Sequence, residues 1–94
     1  MIEVRQMSGG DPMQFAVIVR DDIGETHHVV TMGSTTYHRL TGGRHTPARS
    51  IEAAFQFLLD REPKQSILNR FDITAIAPYF PDFEQKLPAY LARS

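Results

Sequence analysis

Residues 46–83, TPARSIEAAFQFLLDREPKQSILNRFDITAIAPYFPDF, decide the fold. Thr46 ahead of Pro47 starts a helix: the hydroxyl can accept a hydrogen bond from an unpaired first-turn amide, and a proline at the first helical position gives up an amide that has no partner there anyway. Ile51, Ala54, Phe55, Leu58 and Leu59 then recur at the spacing of one helical face, with Arg49, Glu52, Gln56 and Asp60 toward solvent. Pro63 ends this central helix near residues 61–62. A second helical pattern over 63–71 presents Ile67, Leu68 and Phe71, and Asp72 is placed to cap a third that carries Ile73 and Ile76. Pro78 shortens or bends that third helix. Pro81 opens a last one, with Asp82 and Glu84 in its first turn and Phe83 and Leu87 on its buried side, while Pro88 argues against a straight continuation through Tyr90 and Leu91.

Upstream, the periodicity changes from helical to alternating. Met13, Phe15, Val17 and Val19 alternate with Gln14, Ala16, Ile18 and Arg20, the pattern of a strand with one buried face, and a second strand is expected over 26–32. Asp21-Asp22-Ile23-Gly24-Glu25 has turn chemistry between them. A three-residue loop ending in Gly24 would pair Val19 with His27. A four-residue loop over 22–25 would pair Val19 with His28 and put Val17, Val30 and Met32 on one face, and we prefer it. Ser34 is placed to cap a two-turn helix with Tyr37 and Leu40, ended by Gly42 and Gly43.

These elements make one α+β domain: an antiparallel hairpin, with room for a third strand, packed against three or four short helices. Its 94 residues, 41% of them hydrophobic, suffice for a single core. The domain is expected over 13–87, with residues 1–12 as a flexible leader and 88–94 as a C-terminal tail. The short alternation of Ile2 and Val4 offers the third strand. The expected core is Phe15, Val17, Val30, Ile51, Phe55, Leu58, Leu59, Leu68, Phe71 and Ile76.

Charge and composition narrow the function classes. Ten basic against eleven acidic residues, interspersed, create no broad field to draw in nucleic acid or an anionic membrane. Cysteine is absent, which excludes disulfides and thiolate chemistry and suits a reducing compartment, so the cytoplasm is the expected location. No apolar run has the length of a signal sequence core or a membrane span.

The segments AAFQFLLDREPKQSIL (residues 53–68) and FDITAIAPYFPDFE (residues 71–84), following a hairpin that ends THHVVTM, resemble a family of short uncharacterised bacterial proteins. The resemblance covers roughly residues 15–84 and rests on structural prolines, aromatics and aliphatics. It implies a small α+β domain in a bacterial cytoplasm and carries over no activity, cofactor or catalytic residue.

The chemistry-bearing residues form no strong motif. His27 and His28 are adjacent on a strand and point to opposite faces, so a metal site would need one of them together with His38 or His45, and no cofactor or metal is expected. Gly42, Gly43, Arg44 and Thr46 are the weak candidate for an anion site, because paired glycines, a guanidinium and a helix start favour negative charge, although a phosphate-loop lysine is missing. Asp60 and Glu62, like Asp82 and Glu84, are two apart and diverge on a helix, and no serine sits in a nucleophile elbow, so no enzyme is expected. Residues 63–80 have the faint outline of a helix-turn-helix, but 73–80 lacks basic side chains for bases or phosphates. The surplus of apolar and aromatic residues points instead to association with a protein partner or a second copy through Ile18, Tyr79, Phe83, Tyr90 and Leu91. A nucleic-acid-binding or anion-binding accessory role is the alternative.

Overall fold

In the computed structural model, which describes residues 1–93, the alternation of Met13 to Arg20 becomes the second strand of a four-stranded sheet. The strands are β1 (Ile2–Ser8), β2 (Met13–Arg20), β3 (Glu25–Met32) and β4 (Arg70–Asp72), in spatial order β1-β2-β3-β4. The first three run antiparallel and β4 lies parallel to β3. That parallel pairing requires a crossover, which α1 (Ser34–Thr41) and α2 (Pro47–Leu59) supply. After β4 come the short α3 (Ile76–Tyr79) and α4 (Phe83–Leu91).

The helices cover one face of the sheet. Met13, Phe15, Val17 and Val19 of β2 and His28, Val30 and Met32 of β3 are buried beneath them, while Gln14, Ala16, Ile18 and Arg20 face the other way. Ile51, Phe55 and Leu58 of α2 complete that core as expected, joined by Ala54, while Leu59, also expected there, is only partly buried against it.

Both expected hairpin registers are corrected. Arg20 pairs with Glu25 and Val19 with Thr26, closing a four-residue loop of residues 21–24. The Asp21 carboxylate sets this loop by accepting bonds from the amides of Ile23 (2.9 Å) and Gly24 (3.2 Å), and the ion pair of Arg20 Nε with Glu25 Oε1 (3.1 Å) closes its mouth. Relative to the preferred register the slide is two residues, which preserves the faces: Val17, Val30 and Met32 do share the buried side.

The leader is a strand rather than a flexible link. Ile2 pairs with Val19 and Val4 with Val17, so β1 is the third strand, and both side chains pack on the core. The loop between β1 and β2 is tied down as well. Asp11 accepts bonds from the amide (2.9 Å) and the hydroxyl (3.0 Å) of Ser34, so it serves the start of α1, where Ser34 is the first helical residue and Gly33 precedes it.

Three further corrections concern the C-terminal half. Residues 63–71 form no α-helix: a single turn of 3-10 helix at Lys64–Ser66 leads into β4, because Val29 donates to the Asn69 carbonyl (2.7 Å) and draws the chain onto the sheet edge. This also removes the helix-turn-helix outline. Asp72 does act as a cap, but of a 3-10 turn at Ile73–Ala75 that runs on into α3. Residues 88–91 are not part of a tail, since α4 continues through Pro88 to Leu91. Proline there forfeits the bond to the carbonyl of Glu84, an exposed residue, and burial of Leu87, Tyr90 and Leu91 offsets the loss.

Candidate functional site

The C-terminal half of α2 presents two faces with opposite fates. Phe57, absent from the expected core, is completely buried between α2 and α4, with ring centroids 5.0 Å from Phe83, 5.8 Å from Tyr90 and 5.9 Å from Phe80, all near edge-on. Arg61 lies over the same ring at 3.6 Å and reaches Asp82 (3.2 Å). The Tyr90 hydroxyl donates to Asp60 (2.5 Å), and Arg49 donates to the carbonyls of Tyr90 (2.7 Å) and Arg93 (2.8 Å). Phe83, Tyr90 and Leu91, expected at an interface, are thereby sealed inside the molecule. Helical spacing missed Phe57 because α2 buries more than one stripe: sheet, α1 and α4 all pack on it.

Leu58, one residue on and also buried, forms part of the wall of an open cleft. Leu58, Ile67, Phe71, Ile76 and Phe80 line a cavity of about 180 Å³ between α2, the turn before β4, and α3, with Glu62 and Ser66 on the rim. Two large side chains stand at its mouth: Leu68 is 51% exposed and Tyr79 72% exposed. Leu68 was expected in the core. It is excluded because β4 needs an extended approach, which turns Ile67 inward and Leu68 outward. Ala75 is the small residue that leaves room for the cavity floor.

Polar tethers hold this cleft against the sheet. His28, 3% exposed and packed 5.3 Å from the Phe55 ring, places Nδ1 2.7 Å from the Leu68 carbonyl and Nε2 2.9 Å from the Thr26 hydroxyl. A carbonyl only accepts, so Nδ1 carries the proton and donates. Thr31 donates to Asp72 (2.5 Å), and Asp72 also accepts from the hydroxyl (2.6 Å) and amide (3.1 Å) of Thr74. Burial of the Asp72 carboxyl opposes ionisation, but these three donors outweigh it and hold the group below the usual aspartate range. Lys64, buried to its Nζ, pairs with Asp21 (2.8 Å), pinning the turn before β4 to the hairpin loop. That contact, followed by the Ile23 and Gly24 amides, also keeps the Asp21 carboxyl below its ordinary range.

The other candidate residues are not brought to this cleft, apart from Tyr79. Ile18 is half-buried on the open face of the sheet. Gly42 (φ 65°) and Gly43 (φ 75°) take left-handed conformations that end α1, and the Thr46 hydroxyl accepts from the Arg49 amide (3.1 Å). The amide of Gly42 bonds the His38 carbonyl, that of Gly43 the Thr41 hydroxyl, and that of Arg44 the Thr41 carbonyl. These three loop amides are thus engaged by the chain itself. His27 is on the face opposite His28, its Nε2 2.5 Å from Glu25, and among the described residues no three histidine or acidic side chains converge as a metal site. No helix among the described residues is long and apolar enough to cross a membrane.

The cleft is lined mainly by apolar side chains and can seat an apolar group. No family model matches the chain, and no curated protein or solved structure matches it either.

Proposed function

We propose that this chain is a small non-enzymatic protein-interaction domain whose cleft receives an apolar side chain from a partner protein, in the cytoplasm. One observation carries the reading: Leu68 and Tyr79 are exposed at the mouth of a cavity walled by Leu58, Ile67, Phe71, Ile76 and Phe80. Exposed large apolar side chains around a concave apolar floor, with a polar rim, are the anatomy of a docking pocket. A cavity of about 180 Å³ is small for a cofactor and suits a single anchor side chain. The balanced charge supports recognition by shape and apolar burial rather than by a field.

The test is retention of a specific protein from lysate at moderate salt after nuclease treatment, comparing the wild-type chain with Leu68→Ser and Tyr79→Ser. A protein held by the wild type and lost from both folded variants supports the reading. Equal retention by all three would rule out the cleft as the docking site.

A further inference from the structure

We propose that β1 is a self-complementary edge through which two copies of the chain pair antiparallel about a two-fold axis at Val4, joining two four-stranded sheets into one of eight strands. This surface is separate from the cleft, and the proposal does not depend on what the cleft binds.

The edge is open, and its donors and acceptors can be assigned. β1 is the first strand of the sheet order and pairs on one side only, with β2. Met1 and Arg20 exchange backbone hydrogen bonds, 2.8 Å from the Arg20 amide to the Met1 carbonyl and 2.7 Å in return. In an antiparallel ladder such bonded pairs alternate with unbonded ones, so Glu3 with Ile18 and Arg5 with Ala16 are the next bonded pairs. The amides and carbonyls of Ile2, Val4 and Gln6 therefore point away from β2, into the free edge. Beyond Gln6 the ladder is interrupted before Ser8, which ends the regular edge.

The side chains select one register for a second copy. Glu3 and Arg5 are both exposed, flank Val4 and lie on the sheet face away from the helices. With Val4 opposite the partner's Val4, the partner's Arg5 stands directly across from Glu3, and the partner's Glu3 across from Arg5. Val4 faces Val4 as a bonded pair, and Ile2 faces the partner's Gln6 in the same way. Sliding the axis to Glu3 or to Arg5 would set like charges directly against each other, which opposite positions in a ladder disfavour. Among the described residues Arg5 has no acidic partner within its own chain, whereas Glu3 bonds Arg20 at 2.9 Å. Charge on an edge strand usually repels a second sheet. Here the spacing turns the same charges into a register lock.

The helix side of the edge also favours a second copy. Half-exposed Val4 lies beside Thr46, Ala48, Arg49 and Glu52 of the α2 start in an open notch. Pairing at Val4 brings the two notches together across the axis and covers both valines.

The test is sedimentation equilibrium of the full chain from micromolar to millimolar concentration, with circular dichroism to confirm folding of each variant. The wild type is expected to dimerise. Glu3→Arg makes the edge doubly basic and Arg5→Glu makes it doubly acidic, so each alone should dimerise about tenfold more weakly, from two like-charged pairs. An equimolar mixture of these two variants should recover a dimer, because each edge then meets its opposite. Val4→Pro removes an amide that β2 does not use and blocks the central bonded pair, so it should be folded and monomeric. A wild type that stays monomeric at millimolar concentration would overturn the proposal, as would a mixture that associates no better than either variant alone. Wild-type dimerisation by folded Val4→Pro would do the same, and the mixture decides the matter if that variant fails to fold.

Discussion

Phe57 and Leu58 are neighbours on α2 and both are buried, yet one is ringed by aromatic side chains of the chain itself and the other forms part of the wall of an open cleft. On the Phe57 side, aromatic rings meet edge to face and polar side chains clasp the outside: Asp60 and Arg61, just past the end of α2, with Tyr90 and Asp82. On the Leu58 side the elements are short, a 3-10 turn, a three-residue strand and one turn of helix, held by a short ladder to β3 and a few polar tethers to β3 and the hairpin loop. Short elements cannot bury enough apolar area to close over a helix face, so a gap is left and two large side chains stay wet. The difference separates the side that the chain closes upon itself from the side that it leaves open.

The most severe challenge to this contrast is Phe57→Ala. Removing a fully buried ring with three aromatic neighbours should cost about 3–5 kcal/mol. A domain of this size holds only about 5–10 kcal/mol in total, so the urea midpoint should fall by a third or more. A shift as small as that of a surface substitution would show that the sealed side is not the anchor. Tyr90→Phe is the milder form of the same test. It keeps the ring and removes only the hydroxyl that donates to Asp60, for a loss of about 1 kcal/mol, since the half-exposed carboxylate can rehydrate.

Sequence reading recovers the hairpin, the central helix and the α+β class because each carries a period that needs no partner to define it. The register was not legible for a specific reason. Slides of two residues leave every side chain on the same face, so the apolar pattern does not distinguish them; the Asp21 turn and the Arg20–Glu25 pair do. Phe57 was hidden by its own neighbours, since a helix wrapped on several sides has no single stripe. The reading of Tyr90 and Leu91 as an exposed surface failed because Pro88 looked like a terminator, whereas burial beyond it outweighs one lost bond. The cleft depends on β4, and three residues carry too little pattern to announce a strand; only Tyr79 was placed at a surface in advance, and it is exposed.

Asp72 extends the contrast to pH. Its carboxyl is held below the usual aspartate range by the Thr31 and Thr74 donors acting against burial. A depressed value contributes stability that is complete above the ordinary range, about pH 4, and is lost as pH falls through the folded value. Acid should therefore loosen the Leu58 side first. Hydrogen exchange at the amides of Phe71 to Ile76 is expected to accelerate, as pH falls below the ordinary aspartate range, before the amides of α4 do. Asp72→Asn should cost roughly 0.5–1 kcal/mol at neutral pH and flatten that acid response. Simultaneous acceleration in both regions would mean that they unfold as one unit.

The smallest expected effect on stability belongs to the residues with the largest expected effect on binding. Leu68→Ser and Tyr79→Ser each remove a side chain that is more than half exposed, so the thermal midpoint should move by no more than the equivalent of about 0.5 kcal/mol. The sign is informative. A side chain that packs on its own core loses contacts when truncated and lowers the midpoint, whereas an apolar group kept in water for a partner costs the free protein nothing when removed and leaves the midpoint level or raised. If Tyr79→Ser lowers the midpoint as much as Tyr90→Phe does, the ring belongs to the fold and the mouth of the cleft has been misidentified. If the midpoint holds, Leu58 and Phe57 mark a division inside a single helix, where one residue's face was filled by the chain itself and its neighbour's was left for another.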